Sequence, residues 1–176
     1  MQLQTSRLIL GEIIADDLQA IHEMNSIPEV DEFNTLGLPE NTETTRALVN
    51  GWILEQTTDP RTAYTFSIKP AESGKLVGMI ALKLDREKCR KAEVWYKLLP
   101  TYWRQGYATE ALRKILDFSF TELELHRIEA DCATGNTGSI KVLEKVGMTR
   151  EGLCRKILPI RGEWVDNYMY AILDTD

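Results

Sequence analysis

A glycine-containing turn lies between a strand-like segment and an amphipathic helical pattern, and it restricts the possible folds more than any other part of the chain. It belongs to the stretch Tyr102–Leu112, which reads YWRQGYATEAL. Gly106 permits a backbone conformation that a Cβ would obstruct, and Ala108 keeps the first helical turn narrow. The free N–H groups and the dipole at a helix start favour phosphate. A strand, a glycine turn and a helix therefore predict a backbone site for an anion.

Two other phosphate motifs are missing from the sequence. No G-x-x-x-x-G-K-S/T occurs, so a P-loop is unsupported, and no G-x-G-x-x-G follows a strand, so a dinucleotide site is unsupported. A Gly and an Ala two residues apart at a helix start also serve ordinary packing. The spacing alone leaves both interpretations open.

Strand-like and helical patterns alternate along the chain without repeats. No linker divides residues 1–176, which predicts one mixed α/β domain. The early strands are expected to pair antiparallel, and the strand–helix–strand unit through Gly106 to form a parallel crossover. Residues 28–39 are expected to be irregular. The predicted strands are 7–14, 64–69, 75–84, 92–99, 127–133, 149–157 and 163–172, and the predicted helices are 16–25 with Asp16 as cap, a second beginning at Thr42, 106–121 and 137–146.

Composition excludes several classes of protein. The net charge of −6 argues against a general nucleic-acid binder, which normally has a basic surface. No apolar run approaches the roughly 20 residues that span a bilayer, and no leader pattern opens the chain. Three cysteines without a C-x-x-C pair suit a reducing compartment, and a chain with only two histidines argues against a metal site. We therefore expect a cytoplasmic protein without metal, nucleic-acid or membrane partners.

Five segments, in order, match patterns of one known superfamily. Trp103–Ala108 resembles the acyl-CoA motif of the GNAT N-acetyltransferases, in which Arg or Gln is followed three positions later by Gly-x-Gly or Gly-x-Ala. Trp103 replaces the usual Arg or Gln. The chain is similar to the ribosomal-protein N-terminal acetyltransferase branch, the RimJ/RimL type. The other matching segments are Leu3–Leu10, Ala92–Tyr96, Asn136–Ser139 with Leu143–Met148, and Trp164–Ala171.

The resemblance implies a GNAT fold, with a mixed central sheet of six to seven strands and helices on both faces. In that fold the strands corresponding to 92–99 and 127–133 diverge, and the pantetheine arm of acetyl-CoA enters the gap. A bulge near Leu98 and Leu99 would free backbone groups to bind the arm like a missing strand. Lys141 would reach a CoA phosphate or be an exposed helix charge. The predicted cofactor-binding residues are Leu98, Leu99, Arg104, Gln105, Gly106, Tyr107, Ala108, Thr109, Asn136 and Lys141.

The chemistry implied by the resemblance is direct attack of an amine on a thioester. It needs a proton acceptor for the ammonium group and a proton donor for the departing thiolate. Glu93 is the predicted base, because burial beside apolar neighbours would raise its pKa and some superfamily members use a carboxylate at this position. A structural glutamate is the alternative. The carboxylate that other Rim-type enzymes carry in the penultimate strand is absent from Ile157–Pro159, so a water chain remains open.

Ser139 is the predicted acid, because a hydroxyl can donate to the leaving sulfur, and Asn136 can bond the pantetheine amides. Both residues are also ordinary caps at a helix start. Tyr96 could line the thioester end, although aromatic side chains beside a sheet more often belong to the core.

The resemblance implies an enzyme that moves an acetyl group from acetyl-CoA to a primary amine, with a protein N-terminal α-amine as the expected acceptor. A polyamine, amino sugar or amino acid is the alternative acceptor. A non-catalytic acyl-CoA sensor would use the same turn without needing a base. Acceptor residues are expected from Glu29–Glu40 and from the closing strands, and the resemblance leaves a homodimer open.

Overall fold

Eight strands form one mixed sheet in the computed structural model, which describes residues 1–176. In chain order they are β1 (Gln2–Gln4), β2 (Leu8–Glu12), β3 (Ala63–Pro70), β4 (Gly78–Leu84), β5 (Lys91–Leu98), β6 (Arg127–Ala133), β7 (Thr149–Ile160) and β8 (Glu163–Leu173). Their spatial order is β1-β2-β3-β4-β5-β6-β8-β7. The prediction of six to seven strands is wrong by one, because β1 has three residues and is too short to show a periodic pattern.

Five α-helices cover the sheet: α1 (Leu18–Asn25), α2 (Pro28–Asp31), α3 (Thr42–Glu55), α4 (Tyr107–Thr121) and α5 (Thr137–Lys145). The prediction that residues 28–39 are irregular is wrong for α2. Pro28 occupies the first turn of this helix and pre-sets a helical φ. The prediction of Asp16 as the cap of α1 is also wrong, because a 3-10 turn precedes this helix. Asp17 instead accepts a hydrogen bond from Ile14 N at 3.1 Å. None of the helices combines the length and hydrophobicity needed to cross a bilayer.

Each face of the sheet has its own core, as the predicted helices on both faces require. The larger core contains 23 buried residues, including Leu112 and Ile115 of α4 and Leu143 of α5. The smaller core contains 6, including Ile21 of α1 and Val49 of α3. Successive residues of a strand point to opposite faces. A strand residue whose two neighbours belong to the larger core, on the α4/α5 face, therefore points to the α1/α3 face, and the converse also holds.

Strands β5 and β6 are the parallel pair in the sheet, and they pair over three residues. Lys91, Ala92 and Glu93 lie opposite Arg127, Ile128 and Glu129. Beyond these pairs β5 continues to Leu98 and β6 to Ala133 without pairing to each other. The predicted divergence of the two strands is therefore confirmed, and it leaves a gap between their carboxyl-terminal parts.

The predicted bulge near Leu98 and Leu99 is wrong. The pairing of β4 with β5 runs without a register shift to the pair Gly78–Leu98. Leu99 N donates to Val77 O at 2.8 Å, and Leu99 O accepts from Tyr102 N at 2.9 Å. Leu99 therefore has no free backbone group. Because N–H groups alternate between the two sides of a strand, that of Leu98 points toward the gap.

Candidate active site

The turn between β5 and α4 holds a run of backbone N–H groups without protein partners. Trp103 N donates to Pro100 O, and the next N–H with a partner is that of Glu110, which donates to Gly106 O at 3.0 Å. Arg104 and Gly106 both have positive φ, of 61° and 83°. Such alternation turns consecutive N–H groups toward one concave surface that suits an anion. The six predicted loop residues, Arg104, Gln105, Gly106, Tyr107, Ala108 and Thr109, supply these N–H groups.

A hydrogen-bond network around Glu110 fixes this turn against the start of the chain. Glu110, in the first turn of α4, accepts from Thr5 Oγ1 at 2.6 Å and from Arg7 Nε at 2.7 Å. Arg7 also donates to Gln105 O at 3.2 Å and stacks on Tyr107. Burial would raise the pKa of Glu110, but the bonds from Thr5 and Arg7 outweigh it and hold that pKa below its ordinary value. The carboxylate therefore stays ionised and orients the turn.

A polar depression of about 640 Å³ adjoins the turn, and it is lined by four cations and by the carboxylates of Glu110 and Asp117. Sequence reasoning missed its cations, although Arg113 and Lys114 follow Gly106 at a spacing of two helical turns. Arg113 donates to Lys145 O at 3.1 Å, which ties α4 to α5. Lys141 is exposed on α5 and does not line this depression. The lining cations are Arg7, Arg113, Lys114 and Lys145.

Two hydroxyl groups meet at the gap, on the α4/α5 face of the sheet. Tyr96 Oη lies 2.8 Å from Ser139 Oγ. Asn136 Oδ1 accepts from Ser139 N at 3.0 Å and so caps α5. Burial raises the pKa of the Tyr96 phenol, which keeps it protonated at neutral pH. Tyr96 also packs against the larger core, and neither interpretation of its sequence position included this contact, which joins two residues 43 positions apart.

Glu93 occupies the last parallel pair, opposite Glu129, where the gap begins. Its neighbours Ala92 and Val94 belong to the larger core, so Glu93 points to the α1/α3 face. The side chain is exposed, which corrects the expected burial. The protein still displaces part of its hydration shell and thereby raises the pKa of Glu93, and repulsion by Asp131 raises it further. Glu93 and Ser139 thus lie on opposite faces of the sheet at the gap.

Comparison with known proteins defines the class of protein to which this geometry belongs. Residues 7–149 match the Acetyltransferase (GNAT) domain family. The Uncharacterized N-acetyltransferase YnaD of Bacillus subtilis (strain 168) is 34% identical over 180 residues, covering 100% of this chain and 99% of the relative. The chain therefore belongs to the GNAT acetyltransferase family, and it is an acetyl-CoA-dependent N-acetyltransferase.

Two solved structures extend the comparison to proteins with bound CoA or CoA-disulfide. Spermidine N-acetyltransferase from Vibrio cholerae, in complex with CoA and spermine, is 25% identical with a TM-score of 0.85, covering 97% of this chain and 98% of that one. Mycobacterium smegmatis RimJ, in complex with CoA-disulfide, is 25% identical with a TM-score of 0.84, covering 94% and 81%. Both share the mixed α/β fold with this chain. The family defines the donor, acetyl-CoA, and an amine as the class of acceptor.

Proposed function

We propose that this protein acetylates the α-amine of a protein N-terminus by direct attack on acetyl-CoA. The observation that carries the proposal is the run of unpartnered N–H groups from Arg104 to Thr109, in the turn that follows β5, one of the two strands that border the gap. Those groups suit the diphosphate of CoA. The strand from Leu98 back to Glu93 is about 17 Å long at roughly 3.4 Å per residue. An arm held at the turn can therefore extend along β5 to the start of the gap.

Exposed apolar side chains favour a peptide as the acceptor. Leu36 and Leu38, between α2 and α3, are 71% and 48% exposed, and Trp164 on β8 is 58% exposed. Arg161, in the turn between β7 and β8, donates to Pro28 O at 2.7 Å and so brings this hairpin beside α2. Apolar surface at this rim suits the side chains of a peptide. The resemblance to the RimJ/RimL branch supports the same acceptor.

A polyamine is the second candidate acceptor, since the chain is similar to a spermidine N-acetyltransferase. The carboxylates of Glu93 on β5 and Asp131 on β6 form no ion pair and would attract a polycation, whereas Glu129 is already paired with Lys91 and Arg127.

The proposed roles of the gap residues follow from their faces. Acetyl-CoA supplies an activated acetyl group. Glu93, on the α1/α3 face, accepts a proton from the acceptor ammonium group, directly or through water. Tyr96 and Ser139, on the α4/α5 face, donate a proton to the departing thiolate, and the Leu98 N–H hydrogen-bonds the arm. Asn136 keeps its side-chain NH₂ for a pantetheine amide, because its oxygen already caps α5.

The proposed acceptor can be tested by thiol release from acetyl-CoA with a panel of amines. We expect release with a peptide amide that has a free N-terminus and none with the same peptide blocked by acetylation. If spermidine is acetylated and the peptide is not, the acceptor is a polyamine and the proposal of a peptide acceptor is wrong. Binding of acetyl-CoA without thiol release on any amine, aminoglycosides included, would instead favour a sensor.

Replacing Tyr96 with phenylalanine is expected to lower kcat by roughly a hundredfold, because a general acid contributes about that much or more. The KM for acetyl-CoA should change little, since the phosphate site is untouched. Ser139→Ala should lower kcat by about tenfold, as its hydroxyl orients the phenol. Steady-state kinetics on the best amine of the panel measures both effects.

Tyr64→Phe is the matched control for these variants, because Tyr64 packs against the larger core away from the gap. Wild-type kcat in Tyr96→Phe would remove the phenol from the mechanism. Unchanged turnover in Ser139→Ala would leave Ser139 as a structural residue at the start of α5.

A further inference from the structure

The indole of Trp103 is a large apolar group that is exposed and yet held in place by a hydrogen bond. Trp103 is 43% exposed, at the position where the GNAT motif usually has Arg or Gln. Its Nε1 donates to Leu98 O at 2.8 Å. Nε1 is the one polar atom of the side chain. The bond therefore occupies the polar edge of the ring, and the surface that stays exposed is mainly apolar.

The backbone of β5 places this indole on the gap side of the strand. Leu99 N donates to Val77 O, which lies on the side of β4. In an antiparallel pair the N–H and C=O of one residue point to the same side, and those of the next residue point to the other side. Both backbone groups of Leu98 therefore point away from β4, toward the gap. The ring that donates to Leu98 O lies beside the gap at the carboxyl end of β5.

The position of Trp103 in the chain matches the order of chemical groups in CoA. The run of N–H groups proposed to bind the diphosphate begins at Arg104, directly after Trp103. In CoA a carbon with two methyl groups follows the diphosphate almost at once, and the amide groups of the arm come later. Trp103 is joined to Arg104 by the chain and to Leu98 by its hydrogen bond. It therefore stands between the two proposed contacts of CoA, at the turn and at Leu98 N–H.

We infer that the Trp103 indole is the binding surface for the branched, dimethyl-bearing part of the CoA arm. The two methyl groups and the exposed face of the ring leave water together, and such burial is favourable. The bond to Leu98 O holds the ring before CoA binds, which lowers the entropy lost on binding. The amide or guanidinium usual at this motif position has less apolar surface. The inference rests on the proposed placement of the diphosphate at the turn and adds a residue to that site.

Calorimetry on Trp103→Ala tests the inference with two ligands that differ in the arm. CoA has the arm, and 3′-phosphoadenosine 5′-diphosphate has the nucleotide and the diphosphate without it. The variant should bind CoA about tenfold more weakly, which is the effect of leaving two methyl groups in water. Its affinity for the nucleotide should equal that of the wild type. Leu54→Ala is the control, because it removes an exposed apolar side chain on α3 and should match the wild type with both ligands.

Two results of this titration would overturn the inference. Unchanged affinity for CoA would show that the arm does not contact the indole. Equal losses for CoA and for the nucleotide would show that the indole only supports the turn. Absence of turnover with every amine, while the expected binding pattern is intact, would count against the proposed acetyl transfer alone.

Fluorescence gives a second measurement that does not depend on the folding of Trp103→Ala. Contact with the arm changes the surroundings of an exposed indole, so CoA should change the tryptophan emission of the wild type. Trp103→Phe keeps an apolar ring, and it should retain most of the affinity for CoA while losing most of the emission change. The same emission change in Trp103→Phe and in the wild type would contradict the inference.

Discussion

Gly106→Ala is expected to weaken the binding of acetyl-CoA by about tenfold or more. Gly106 has a φ of 83°, which costs an L-residue about 1–2 kcal/mol, and tenfold in affinity corresponds to about 1.4 kcal/mol. Relief of that strain would rotate the N–H groups of the turn away from the diphosphate. Calorimetric titration with CoA and with acetyl-CoA measures the loss.

Gly74→Ala is the control for this variant, because Gly74 also has a positive φ, of 65°, and open space around it. It lies in the turn before β4, far from α4 in the sequence. Both variants should lose similar thermal stability, whereas only Gly106→Ala should lose affinity. Equal affinities in the two variants would contradict the assignment of the turn as the phosphate site.

Glu93→Gln is expected to lower kcat/KM for the amine by roughly a thousandfold, within the range of general base catalysis. The pKa of Glu93 is raised above the ordinary value of a glutamate by lost solvation and by repulsion from Asp131. The ionised base is therefore lost as the pH falls through this raised pKa. The wild-type profile should show an acidic limb above the ordinary range of a glutamate, and the variant should lose it.

Glu87→Gln provides the matched control, since Glu87 is exposed in the turn between β4 and β5. It should keep both the rate and the acidic limb of the wild type. A Glu93→Gln enzyme with an unchanged pH–rate profile would remove Glu93 as the base and leave the proton to a water chain.

The strands were largely predictable because their apolar residues alternate or run continuously. The predicted bounds of β6, Arg127–Ala133, coincide with the observed strand, in which Ile128, Ala130 and Cys132 face the larger core. The turn at Gly106 was also predictable, since a glycine between a strand and a helix is a local signal. The motif resemblance extended these local patterns to the pairing of distant strands and to the gap between β5 and β6.

The rest of the candidate site depends on contacts between residues far apart in the sequence. Glu110 meets Thr5 across 105 positions, and Tyr96 meets Ser139 across 43. No local periodicity encodes such pairs. The prediction of a bulge near Leu98 and Leu99 was wrong because the resemblance could not show that the Leu99 N–H already donates to Val77 O.

The two hydrophobic cores differ in size, and this difference affects which parts of the protein can tolerate substitutions. The α4/α5 layer, which carries the proposed acyl-donor site, is anchored in 23 buried residues, whereas α1 and α3 lie over 6. Elements with few buried apolar contacts open locally at lower free energy than the rest of a protein. Descendants can therefore accumulate substitutions around α1, α2 and α3 and acquire new specificities, while the ancestral acyl-donor machinery stays intact beneath them.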